Sequence, residues 1–116
     1  MADGKSEEPE RTLEMFRLKF KDARVAKDFK GWTGKTMQYL FTDSGEYFHI
    51  TFQDDGPAPA VRGKPAKADI QYELSTETFL AMARKEITGL KAYAQGKVKL
   101  RASVPDMLKL QKIDSI

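Results

Sequence analysis

From Thr36 onward apolar and polar residues alternate with a period of two, whereas before it they recur every three or four positions. The change of period predicts a helical N-terminal part followed by a hairpin-rich sheet. Leu13, Phe16, Phe20 and Ala23 fall on one face of a helix running from Ser6 to about Lys27, with Met15 and Leu18 opposite. Ser6 is a fitting cap, Glu7 and Glu8 complement the positive end of the helix dipole, and Pro9 is tolerated in the first turn. Residues 1–6 read as a flexible tail and residues 7–116 as one domain. Gly31 and Gly34 flank the single Trp32 and close this unit, and a break near Asp22–Arg24 would divide it into a long and a short helix.

Two strands, Thr36–Thr42 and Glu46–Gln53, flank the hairpin signal Asp43-Ser44-Gly45. Phe48, Ile50 and Phe52 share one face of the second strand, and Tyr47, His49 and Thr51 the other. Asp54-Asp55-Gly56 turns the chain, and Ala58–Val61, bracketed by Pro57 and Pro59, fits only an edge strand. After the Arg62-Gly63-Lys64-Pro65 turn, Asp69–Leu74 alternates with Ile70, Tyr72 and Leu74 inward. Ser75 caps a helix reaching about Glu86, with Phe79, Leu80, Met82 and Ala83 on its apolar side. A shorter helix, Gly89–Gln95, carries Leu90, Tyr93 and Ala94 and stops at Gly96. Lys97–Ala102 is a fifth strand, with Val98, Leu100 and Ala102 inward, and a last helix spans about Val104 to Lys112. The order predicts an α+β domain: one five-stranded, mostly antiparallel sheet covered on one face by helices.

Composition narrows the chemistry. A chain of 116 residues without cysteine excludes disulfides, thiolate metal sites and thiol nucleophiles. No apolar run approaches the ~18 residues of a membrane span, and Met1-Ala2-Asp3-Gly4 lacks the regions of a secretory signal. The reading is a soluble, cytoplasmic domain. Gly34-Lys35-Thr36 imitates the tail of a phosphate-binding loop, but Phe29 stands where that loop needs glycine and a helix precedes it. His49 has no second histidine or cysteine to build a triad or metal site and reads as structural, while Asp54 and Asp55 diverge from one turn. No catalytic residue, metal or cofactor is expected. The net charge of +3 is blockwise: −3 over residues 1–10, +5 over 11–35, −4 over 36–59 and +5 over 60–116. Lys97, Lys99 and Arg101 form one basic stripe and Arg17, Lys21 and Arg24 another. Most aromatics fall on core-facing positions, so no nucleic-acid partner is expected, and attraction to acidic lipid headgroups explains the same charges equally well.

The last helix is anomalous. At 100° per residue Leu110, Met107, Val104 and Leu108 share a face with Gln111 among them. A buried amide needs partners; it either bonds nearby backbone or anchors the polar end of a mostly apolar ligand. These features together resemble the sterol carrier protein type two family over roughly Leu13 to Ile113. The resemblance is carried by Gly63-Lys64-Pro65, Lys67-Ala68-Asp69, Phe79, Leu90-Lys91-Ala92-Tyr93, Gln95-Gly96-Lys97, Lys99-Leu100-Arg101, Met107 and Leu110-Gln111. Three departures stand out. Ala102-Ser103 replaces a glycine common after the basic strand, Ile87-Thr88-Gly89 lacks the helix-opening proline, and Asp114-Ser115-Ile116 is no peroxisomal tripeptide, which suits a cytoplasmic protein.

The resemblance implies helices and sheet enclosing an apolar tunnel, and non-enzymatic binding of fatty acids, fatty acyl-CoA, phospholipids or sterols. Phe48, Ile50, Phe79, Met82, Leu90, Tyr93, Met107 and Leu110 are then expected to line the tunnel, with Gln111 near the headgroup. Position by position the same residues suit a packed core, and the resemblance alone favours a cavity. The expected partners are a long-chain lipid or acyl-CoA and transient contact with an anionic membrane, for a monomer or weak homodimer. The alternative is an accessory protein-interaction or dimerisation module without bound lipid, using the Tyr47/His49/Thr51 face or Met15 and Leu18.

Overall fold

The structure, a computed structural model, describes residues 3–114, with side chains described from Glu10 to Ile113. Helix α1 spans Asp3–Lys19; the Ser6, Glu7, Glu8 and Pro9 side chains lie outside those described, as do Met1, Ala2, Ser115 and Ile116. Leu13, Phe16 and Phe20 are buried while Met15 and Leu18 are exposed, as the spacing predicts. The helix does not reach Lys27. Asp22 Oδ1 accepts the Arg24 backbone N–H at 2.8 Å, and its other oxygen accepts from the guanidinium at 2.8 Å. Those bonds favour a turn over helix and hold the Asp22 carboxyl down to about 2. A 3-10 helix, Ala26–Trp32, follows. It buries Phe29 and Trp32, the preceding Val25 is buried too, and Ala23 is left exposed, correcting the expected stripe. Phe20, Phe29, Trp32 and Phe52 meet edge to face with centroids 4.8–5.2 Å apart. Trp32 Nε1 is the one buried side-chain polar atom without a hydrogen-bond partner among the described residues.

The sheet comprises β1 (Thr36–Phe41), β2 (Glu46–Gln53), β3 (Gly56–Pro57), β4 (Val61–Arg62), β5 (Ile70–Leu74) and β6 (Val98–Arg101). Its order is β3-β2-β1-β5-β6, with β4 also pairing β2. Only β1 and β5 run parallel, aligning Tyr39 with Tyr72; β1–β2, β2–β3, β2–β4 and β5–β6 are antiparallel. The described residues thus form six strands where five were expected. The Asp54-Asp55-Gly56 turn supplies β3, and the edge strand moves from Ala58–Val61 to Val61–Arg62, because Pro59 has no N–H for a ladder. Arg62 ties the edge to α1 and β2 through ion pairs with Glu10 and Glu46.

Met37, Tyr39, Phe41, Phe48, Ile50, Phe52, Ile70, Tyr72, Leu74 and Val98 form the buried face of the sheet, covered by the helices. Helix α2, Thr76–Ala83, is shorter than expected; its Ser75 cap accepts the Thr78 N–H at 3.1 Å. Helix α3, Gly89–Ala94, is capped by Thr88 through the Lys91 N–H at 3.0 Å. It buries Ala92, whereas Leu90, Tyr93 and Ala94 remain exposed, a further departure from the expected stripe. Helix α4 runs from Val104 to Asp114.

Candidate functional site

Strands β5 and β6 sit at the end of the sheet where α3 and α4 close over it. The β5–α2–α3–β6 segment returns antiparallel beside its own starting strand, which pairs Leu100 with Tyr72 and Val98 with Leu74. A cavity of about 100 Å³ remains between the layers. Tyr72, Val98 and Leu100 form its floor, Phe16 and Met82 one wall, Gly89, Leu90 and Tyr93 another, and Met107, Leu110, Gln111 and Ile113 its roof. A smaller hollow of about 50 Å³ shares Phe16, Met82 and Ile113 with it and opens beside Lys19, Lys85, Ile87 and Thr88.

The turn of α4 sets how its residues face this cavity. Leu110 and Ile113 point into the core and are buried; Met107 and Gln111 line the cavity, with Gln111 exposed at its edge. Val104 and Leu108 rotate further out and are exposed, so the apolar stripe expected of α4 is only partly buried. Gln111 is therefore not the buried amide the spacing suggested. Ser103 caps the helix, accepting the Asp106 N–H at 3.3 Å, and the buried Asp106 carboxylate accepts from Lys35 Nζ at 3.0 Å. At the other end Lys112 Nζ donates to Asp28 at 3.0 Å. Two ion pairs thus pin α4 across the entry to β1 and the 3-10 helix.

Six of the residues named from the sequence converge here: Met82, Leu90, Tyr93, Met107, Leu110 and Gln111. The cavity does not extend to Phe48, Ile50 or Phe79, which belong to the packed core. Strand β1 separates β2 from β5, so Phe48 and Ile50 sit two strands away. Phe79 backs the cavity through Phe16, ring centroids 5.9 Å apart. Phe16, Tyr72, Gly89, Val98, Leu100 and Ile113 also line the cavity. The inward alternation of Tyr72, Val98 and Leu100 signalled them; nothing local in α1 signals Phe16.

The remaining candidates find structural partners. His49 Nδ1 lies 2.8 Å from the Gly63 carbonyl, an acceptor only, so this nitrogen carries the proton. Arg17 donates to the Pro57 carbonyl at 2.9 Å and pairs with Glu14, and Arg24 is held by Asp22, so the expected α1 stripe is largely engaged within the fold. Asp54 and Asp55 line a separate polar hollow with Lys21 and Lys30. No group of three or more His, Cys, Asp or Glu suited to a metal occurs among the described residues, and no described helix is long and apolar enough to cross a membrane.

Fold and site together define a two-layer α+β domain with an apolar cavity between helices and sheet. The model of the SCP-2 sterol transfer family matches residues 14–114, and the chain belongs to that family. No curated protein matches it significantly. Among solved structures it is similar to sterol carrier protein domain 2 of Helicoverpa armigera, with 15% identity, TM-score 0.70 and coverage of 90% of this chain and 84% of that one. It is also similar to palmitated SCP2L2 from Aedes aegypti, with 24% identity, TM-score 0.63 and coverage of 90% and 92%. Part of the sec-alkylsulfatase Pisa1 from Pseudomonas sp. has the same fold, with 23% identity and TM-score 0.58; the match covers 70% of this chain but 12% of that enzyme. Membership of that family supports sterol or lipid binding and transfer in general.

Proposed function

We propose that the chain carries a long-chain lipid, with a fatty acid, fatty acyl-CoA, phospholipid or sterol held in an apolar tunnel that widens from the cavity under α3 and α4, and that it performs no catalysis. Met82, Leu90, Tyr93, Met107 and Leu110 contact the apolar part, Gln111 meets the polar end, and Phe48, Ile50 and Phe79 form the rigid backing. The observation that carries this reading is the convergence of apolar side chains from four helices and two strands on one cavity, with an exposed amide at its edge. The similar SCP2L2 from Aedes aegypti is a palmitated protein, which points to acyl chains as the first ligands to try. The reading takes the chain as a cytoplasmic monomer or weak homodimer.

Size sets a condition. The cavity, about 100 Å³, is smaller than the ~150 Å³ that holds one benzene, so a full acyl chain requires α3 and α4 to swing outward. Each buried methylene contributes ~0.8 kcal/mol, and a dozen contribute about 10 kcal/mol gross, enough to drive that opening before the costs of association. His49 and the aspartates of the second turn play no part in this process.

Titration with palmitate and palmitoyl-CoA tests the proposal. Ligand at 100 times its Kd stabilises by about 2.7 kcal/mol, roughly 10 °C in Tm. Met107→Trp, which plugs the cavity from a half-buried position, abolishes the shift while leaving the unliganded Tm within a few degrees. Absence of a shift with any long-chain lipid overturns the proposal.

A further inference from the structure

Resting on the lipid-carrier reading, we propose that Lys85 makes the chain selective for free fatty acids. Their carboxylate is held at a second mouth of the binding space, on the turn between α2 and α3, while an uncharged polar end stays with Gln111. The smaller hollow marks that mouth. It reaches the surface beside Lys19, Lys85, Ile87 and Thr88, whereas the larger cavity has Leu90, Tyr93 and Gln111 at its edge. Phe16, Met82 and Ile113 line both spaces and form the partition between them. Met82 is unbranched and turns easily. With its side chain swung aside, an alkyl chain runs from the second mouth into the cavity.

Backbone and charge both single out Lys85. Among the described residues it is the one non-glycine with a left-handed backbone, φ +61°, at a helix end where glycine is the favoured residue. A side chain retained against that preference points to a use outside the fold itself. Its neighbours Arg84 and Glu86 pair with each other at 3.0 Å, and Lys85 makes no ion pair among the described residues. The turn therefore presents one uncompensated ammonium beside the hollow. Lys19 Nζ, 5.3 Å over the Phe16 ring, adds positive potential at the same mouth. The hollow, about 50 Å³ with walls from Phe16, Met82, Ile87 and Ile113, admits a carboxylate carried directly on an alkyl chain but not a phosphodiester head. A sterol hydroxyl brings no charge for the ammonium to meet.

Competition between palmitate and 1-hexadecanol, which share chain length and differ in the charged head, reads the preference directly when the adducts of the whole chain are weighed by native mass spectrometry. The proposal predicts that the wild type takes palmitate over the alcohol. Lys85→Met removes the charge and keeps a left-handed side chain; it should lower the palmitate-to-hexadecanol ratio about threefold to fivefold, the weight of an ion pair at an exposed site. Lys85→Arg should keep the ratio. Lys85→Gly, which also relieves the backbone, should melt higher than the wild type and lose the same preference, so that the loss is not a folding defect. An equal ratio in the wild type, Lys85→Met and Lys85→Gly overturns the proposal and leaves the carrier reading standing. Absence of both adducts on the wild type overturns the carrier reading and the proposal with it.

Discussion

Lys85 and Gly96 occupy equivalent places and differ in side chain alone. Each follows a helix cap and closes the same pair of bonds. Lys85 N–H donates to Met82 O and Glu86 N–H to Ala81 O, as Gly96 N–H donates to Tyr93 O and Lys97 N–H to Ala92 O. Both have left-handed backbones, with φ of +61° at Lys85 and +76° at Gly96. A side chain costs roughly 1 kcal/mol there. A Cβ on Gly96 meets nothing within 4 Å, so the backbone alone sets its preference. Lys85→Gly should therefore raise stability by about 1 kcal/mol and Gly96→Ala lower it by a similar amount in urea denaturation. Only one of these two stops was legible. Gly96 ends its helix visibly in the sequence, whereas a lysine in that role carries no signal, and α2 was expected to run on to Glu86.

At the scale of elements, the helices are held by side chains distant in sequence. Asp43, in the β1–β2 turn, accepts from the Thr76 backbone N–H at 2.9 Å and its hydroxyl at 3.0 Å, fixing the start of α2. The Thr76 N–H is the leading cause that lowers the Asp43 carboxyl below the usual carboxylate range. A lowered folded-state value means the stabilisation is full above the unfolded pKa and lost as pH falls through the folded one. Asp43→Ala should cost about 1 kcal/mol at neutral pH, and the difference from wild type should close as acidification protonates the lowered Asp43 carboxyl. Helix α4 depends likewise on Asp106. Asp106→Ala leaves Lys35 half-buried and unpaired and should cost roughly 1–2 kcal/mol. It should also speed amide exchange over residues 104–108 and ligand exchange from the cavity. These ties, 33 and 71 residues long, are what periodicity cannot reveal. The strand pattern was legible because each β residue reports its own face; the break after α1 was legible only as an option, since one Asp22 carboxylate decided it.

Over the whole molecule, the sheet, its face of helices and the family were readable from alternation and a few motifs, while the cavity was readable in part. Met82, Leu90, Tyr93, Met107, Leu110 and Gln111, from α2, α3 and α4, meet at one cavity, and Val98 and Leu100 of β6, read from the sequence only as inward strand positions, join them there. Phe48 and Ile50 were grouped with them because inward strand positions look alike whether they meet a core or a cavity. Strand order decides that difference, and the β2-β1-β5-β6 arrangement moves them away.

Native mass spectrometry of the wild type and Met107→Trp, each incubated with excess palmitate and stripped of free ligand, tests the central claim most directly. The account predicts a single palmitate adduct on the wild type and none on the folded variant. No adduct on the wild type, or equal adducts on both, would contradict it.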